Sequence, residues 1–131
     1  MKTYALRLRP GEDPKATLDT FAQDHHVEAG CVLTCVGSLR KAVRRCANQE
    51  QSTALEGHFE IVSLTGVFSL HGGHFHIAIA DGAGGTVGAH LLAGSEVYTT
   101  AEIVFASLDH LRFNRSFDPQ TGYPELEINA I

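Results

Sequence analysis

The segment Gly73-His74-Phe75-His76-Ile77-Ala78-Ile79-Ala80-Asp81 constrains this chain more than any other. Phe75, Ile77 and Ile79 alternate with His74, His76, Ala78 and Ala80, the period of two that marks a half-buried strand. Asp81-Gly82-Ala83-Gly84-Gly85 reads as a turn, and Thr86 to Leu92 as the returning strand of a hairpin. Side chains two apart share a face, so His74 and His76 point the same way. A turn centred on Ala83 sets His90 directly across from His76, with Cβ atoms about 5 Å apart. A slip of one residue would move His90 to a diagonal position. Ala78, Ala80 and Gly88 are small and leave room above this face. Phe75, Ile77, Ile79, Val87, Ala89 and Leu91 take the opposite face as core.

Three imidazoles on one face, with no fourth protein ligand in view, describe an open zinc site whose last position is left to water or substrate. The competing reading is a plain polar outer face of a sheet. A structural zinc closed by a fourth donor from a neighbouring subunit, His71 or His58, is a third reading.

With 131 residues and 44% hydrophobic content, the chain supports one globular domain, 1–131, with a single core. No apolar run is long enough to span a bilayer, since Ile77 to Ala80 ends at Asp81. Met1-Lys2-Thr3-Tyr4 leads straight into an alternating strand with no signal-peptide core, so the expected location is cytoplasmic. Cys31, Cys35 and Cys46 are odd in number and lack a CxxC spacing, which reads as buried thiols in a reducing compartment.

A formal charge of −5 argues against direct nucleic-acid binding, because that affinity comes mainly from neutralising phosphates. The single basic cluster is Arg40-Lys41-Ala42-Val43-Arg44-Arg45, read as the exposed face and end of a strand. Any residual DNA role would run through Arg40, Lys41, Arg44 and Arg45.

Along the chain, Thr3 to Arg9 alternates as a strand, ended by Pro10-Gly11. Asp13-Pro14 opens a helix, Asp13 as N-cap and Pro14 in the first turn, with Ala16, Leu18, Phe21 and Ala22 as its apolar stripe. It fades at His25-His26, where the two rings complement the helix dipole. Gly30 to Leu39 reads as a strand buried on both faces, continued by a more polar stretch through Ala47. Asn48 to Ala54 reads as a loop, and Gly57 to Leu70 as a strand bent at Gly66. Glu96 to Leu108 is the last long strand. Phe113 to Pro124 is turn-rich, after which Leu126 and Ile128 dock on the body. One helix followed by a run of strands argues an α+β domain with a mostly antiparallel sheet.

These residues resemble the plants-and-prokaryotes conserved domain family, from Leu6 to Leu126. Gly57-His58-Phe59-Glu60-Ile61-Val62-Ser63-Leu64-Thr65-Gly66 is similar to its Gly-Arg-Phe-Glu-Ile-Leu-Ser-Leu-Ser-Gly segment. His74-Phe75-His76, Asp81 and Gly88-Ala89-His90-Leu91 resemble its His-Leu-His, Ser-Asp and Gly-Gly-His-Leu signature. Thr99 to Val104 resembles its Thr-x-Glu-Val strand, and Pro10-Gly11-Glu12-Asp13 and Val36-Gly37-Ser38-Leu39 match early landmarks. The resemblance implies one main helix on a strongly bent antiparallel sheet, assembled as a homotrimer. It also implies a metal, read as zinc, on His74, His76 and His90. In plants the domain is joined to AT hooks, but no Arg-Gly-Arg-Pro motif occurs here, so a stand-alone version is expected. The family's Arg before Phe-Glu is His58, which puts in doubt the protein contacts tied to that stretch.

Two functions compete. One is a homotrimeric binding or regulatory module that meets a protein partner or small ligand, with Arg40, Lys41, Arg44, Arg45, His58, Phe59 and Glu60 as its interaction surface. The other is a zinc-dependent hydrolase or lyase that uses water on the histidine-held metal, with Glu102 or Glu60 as general base. Each glutamate also reads as half of an ion pair, with Arg115 or Arg40 as partner.

Overall fold

A computed structural model describes the chain from Met1 to Ile131. Strand β1 (Lys2–Leu8) leads into helix α1 (Pro14–Asp24), then strands β2 (Gly30–Arg45), β3 (Thr53–Ser69), β4 (Gly72–Ala80), β5 (Thr86–Leu91) and β6 (Glu96–Ser107). The last two strands, β7 (Leu111–Asp118) and β8 (Tyr123–Ala130), form their own antiparallel pair. The main sheet runs β1-β6-β2-β3-β4-β5, and every pairing is antiparallel. The far end of β2 also pairs with β5, Arg44 opposite Leu91 and Arg45 opposite His90. So β2, β3, β4 and β5 close on one another, and the sheet is strongly bent.

Helix α1 starts where the sequence places it. Asp13 is extended (φ −100°, ψ 116°) and its carboxylate accepts the Ala16 N–H at 3.1 Å. The same carboxylate accepts the Gly94 N–H at 2.6 Å, which ties the helix start to the turn before β6. Leu18 and Ala22 are fully buried against the sheet. At the other end His25 stacks on Phe21 and bonds its carbonyl, and His26 turns the chain at φ 52°.

The core holds Phe68, Phe75 and Phe105 with Leu8, Leu39, Ile79 and Ile103. Phe75 lies over glycines: a Cβ at Gly66 or Gly73 would collide with its ring. Gly66 serves that close packing rather than a bend, since it pairs in register with Phe75 and the irregularity of β3 falls between Ile61 and Ser63. In β2, a Cβ at Gly37 would strike the Thr100 carbonyl, so only glycine lets β6 approach there.

Several expectations need correction. β2 is not buried on both faces, because Leu33 and Val36 are 52% and 62% exposed. Val62 and Val87 are exposed as well; Val87 lies opposite buried Ile79, on the face assigned to it, but is not part of the core. Phe113 to Pro124 is not simply turn-rich, since it contains most of β7, which pairs with β8 from Leu111–Ala130 to Asp118–Tyr123. Within that hairpin Leu126 is half-buried, but Ile128 is exposed and does not dock. All three cysteines are free, and only Cys35 is buried. No helix is long and apolar enough to cross a membrane.

Candidate metal centre

The hairpin register is the one the alternation predicts. His76 is opposite His90, Ile77 opposite Ala89 and Ala78 opposite Gly88. Asp81 fixes the turn, its Oδ1 accepting the N–H groups of Ala83 at 2.9 Å and Gly85 at 2.8 Å. Buried Phe75 and Ile77 anchor the inner face, so His74 and His76 project from the outer one.

The donor atoms of His74, His76 and His90 all lie within 4.8 Å of one another. The His74 and His90 rings are nearly parallel with centroids 5.4 Å apart, and His76 stands edge-on to both at 4.9 and 4.7 Å. Tetrahedral zinc with Zn–N bonds near 2.0–2.1 Å wants its nitrogens about 3.3 Å apart. Small side-chain rotations bring the three rings to that spacing, so the donor set fits the metal and leaves one position free.

Electrostatics favour the neutral, lone-pair-bearing rings. Burial lowers the His74 pKa below its ordinary 6.5, assisted by His76, Arg115 and His90 and opposed by Glu125. Burial likewise lowers that of His90, with help from His76 and Arg45. Both shifts favour the neutral form that can bind a metal.

Two hollows meet at the triad. The larger, a cavity of about 680 Å³, is bordered by His74 and His90 and walled by the β7–β8 hairpin, the 46–50 segment and the β3–β4 turn. The smaller, about 340 Å³, lies over His76 and His90 along Ser63, Thr65, Ala78 and Gly88. The small residues do leave room there.

Other candidates lie elsewhere. Glu60 is opposite Ala80, four residues along β4 from His76 and about 13 Å away. Glu102 is exposed on β6, opposite Arg7 and Val36, with β2 and β3 between its strand and β4. Neither glutamate is in an ion pair; Arg40 instead pairs with Glu96 at 3.0 Å. His58 stacks on Tyr98, centroids 4.3 Å apart, and Phe59 packs partly into the core. His71 lines the larger cavity outside the donor cluster.

The basic run is divided. Arg40 is engaged with Glu96, Lys41 is half-buried opposite Glu56 and Glu96, and Arg44 donates to the Cys46 sulfur at 2.8 Å. Arg45 stands beside His90. That last placement, and the approach of Arg115 to His74, escape reading in sequence. The alternation of Leu111, Phe113 and Arg115 was the available signal for the strand that carries Arg115.

The model of the Plants and Prokaryotes Conserved (PCC) domain matches residues 1–109. The bifunctional protein GlmU of Synechococcus sp. (strain JA-3-3Ab) is 45% identical over all 131 residues, which cover 21% of that protein. The chain thus spans about a fifth of the length of the curated relatives it matches. A hypothetical protein from Salmonella enterica superposes with a TM-score of 0.96 at 40% identity, covering 98% of this chain and 94% of that one. A metal-containing protein from Archaeoglobus fulgidus superposes with a TM-score of 0.80 at 27% identity, covering 95% and 92%.

Proposed function

The chain belongs to the Plants and Prokaryotes Conserved domain family, and from that premise we propose that it is a homotrimeric binding module built around a zinc ion on His74, His76 and His90. The convergence of three ring nitrogens within 4.8 Å carries this reading. The similar archaeal protein is metal-containing, which supports a metal here. Three ligands leave a coordination position for a small molecule entering from the adjoining cavity. The 131-residue match to a fifth of a longer bifunctional protein suits a module that works beside other domains.

Trimer formation is supported by the outer sheet face. Val36, Val62 and Tyr98 are between 39% and 62% exposed there. The Gly37–Ile61 register sets Val36 and Val62 as neighbours across β2 and β3. Clustered apolar side chains of this kind call for a covering surface, and copies of the same chain supply one. Direct DNA binding is not part of the proposal, given the charge of −5 and the dispersed basic run. The surface offered to a protein partner is Arg40, Lys41 and Arg44 with the His58 to Glu60 edge.

The second reading is a zinc-dependent hydrolase or lyase, favoured by the cavity that opens on His74 and His90. Zinc would lower the pKa of bound water or polarise a substrate oxygen. The chain's own share is to hold the three rings together and leave access from one side. Glu60 or Glu102 would serve as base only if assembly brings them to a triad.

Elemental analysis of tag-free protein dialysed against metal-free buffer tests the proposal. Near-stoichiometric zinc that disappears in His74→Ala and His90→Ala is expected. Protein that retains no metal and binds none on zinc addition overturns it.

A further inference from the structure

Arg45, His90, His76 and Thr65 form one cross-strand row over β2, β5, β4 and β3. Arg45 therefore flanks the triad on the β2 side. Arg115 reaches it from a different element, the β7–β8 hairpin, beyond the stretch that the family model matches. Both line the 680 Å³ cavity, and neither forms an ion pair or a side-chain hydrogen bond within the chain. The third cation on the wall, Lys15, is bound to Asp19 at 2.7 Å.

Arg45 is the register partner of His90, and Arg115 lines the same cavity as His74 and His90. Arg45 is half-buried and Arg115 exposed; a half-buried guanidinium without a counter-charge is unfavourable, and guanidinium forks match carboxylate and phosphate oxygens. The cavity is within the roughly 300–1,000 Å³ typical of small-molecule sites. Phe113 and Leu126 give it an apolar side.

We infer that this cavity binds a small organic oxyanion, its carboxylate or phosphate held between Arg45 and Arg115 beside the histidine triad and its carbon skeleton against Phe113 and Leu126. The inference deepens the proposed module by naming its ligand class, and it shares the triad with that reading. Glu125 at the hairpin is placed to accept a hydroxyl of the ligand. Arg45 and Arg115 belong to the protein itself, so anion binding persists, weakened, without metal.

The test is calorimetric titration of zinc-loaded and metal-stripped protein with citrate, glycerol 3-phosphate and uncharged glycerol, with zinc content measured on each sample. Binding of citrate or glycerol 3-phosphate, but not glycerol, is expected. Whichever binds tells a carboxylate ligand from a phosphate one. Arg45→Gln and Arg115→Gln should each weaken it at least tenfold while zinc content stays at the wild-type level, with Arg45→Lys giving partial recovery. Higher salt should weaken binding further. If zinc is absent but arginine-dependent anion binding remains, the metal reading fails and this inference stands. If zinc is bound and neither anion binds, or both Gln variants bind as wild type does, the inference is overturned.

Discussion

His76 and His90 face each other as a register pair across β4 and β5, their ring centroids 4.7 Å apart and nearly perpendicular. A pair so placed shares one small volume, and His74 two residues away completes it. The rings are outside the packed core, so they are free to serve a ligand instead of the fold.

Because of that separation, His76→Ala should remove bound zinc while leaving the metal-free unfolding free energy within about 0.5 kcal/mol of wild type. His71→Ala should keep zinc near wild-type content, since that ring is outside the donor cluster. Elemental analysis with chemical denaturation checks both.

Asp81 holds the turn that sets the pair. Asp81→Ala removes the acceptor for the Ala83 and Gly85 N–H groups, at a cost of about 1 kcal/mol. Zinc affinity should fall with it, as the hairpin that aligns His76 with His90 loosens. Competition with a chromogenic chelator reads the change.

Gly66 lies beneath the Phe75 ring and the His74 carbonyl. Gly66→Val should destabilise the protein by about 1–3 kcal/mol, as overpacking of a filled site does. The strand that carries His74 and His76 shifts, so zinc content should drop together with the melting temperature.

Burial, aided by Glu102, pushes the Cys35 thiol up to about 11 from an ordinary 9.0. The unfolded thiol ionises first as pH rises. This group's contribution is therefore intact below pH 9 and is lost between pH 9 and about 11. Cys35 should resist iodoacetamide at pH 8 until the protein unfolds, and Cys35→Ala should flatten the alkaline arm of the stability profile.

Val36 and Val62 give the test of assembly. Val36→Asp places a charge in the exposed apolar patch and should shift the species from trimer to monomer in light scattering. Wild-type protein that runs as a monomer at micromolar concentration would remove the trimer from the proposal.

Much of this protein is written in local pattern. Alternation over Gly73–Ala80 and the Asp81–Gly85 turn determine a hairpin, and a period of two leaves no choice about which histidines share a face. Asp13 and Pro14 determine where α1 begins, because a cap needs only its own first turn. The apolar run of β2 misleads because hydrophobicity alone does not say whether a face meets core or another chain, and Leu33 and Val36 are exposed. The terminal hairpin was obscured by its Pro, Gly and Asp residues, which mark the turn and mask the strands around it.

Sequence by itself determined the triad, since its three members lie within one hairpin of seventeen residues, His74 to His90. Tertiary structure alone decided what surrounds it. Arg45 comes from 45 positions before His90 and Arg115 from 25 after it, and each arrives only when β2 bends back to β5 and the final hairpin forms a wall of the cavity. Those approaches depend on sheet closure, a property of strand pairing across the whole chain that no local periodicity encodes.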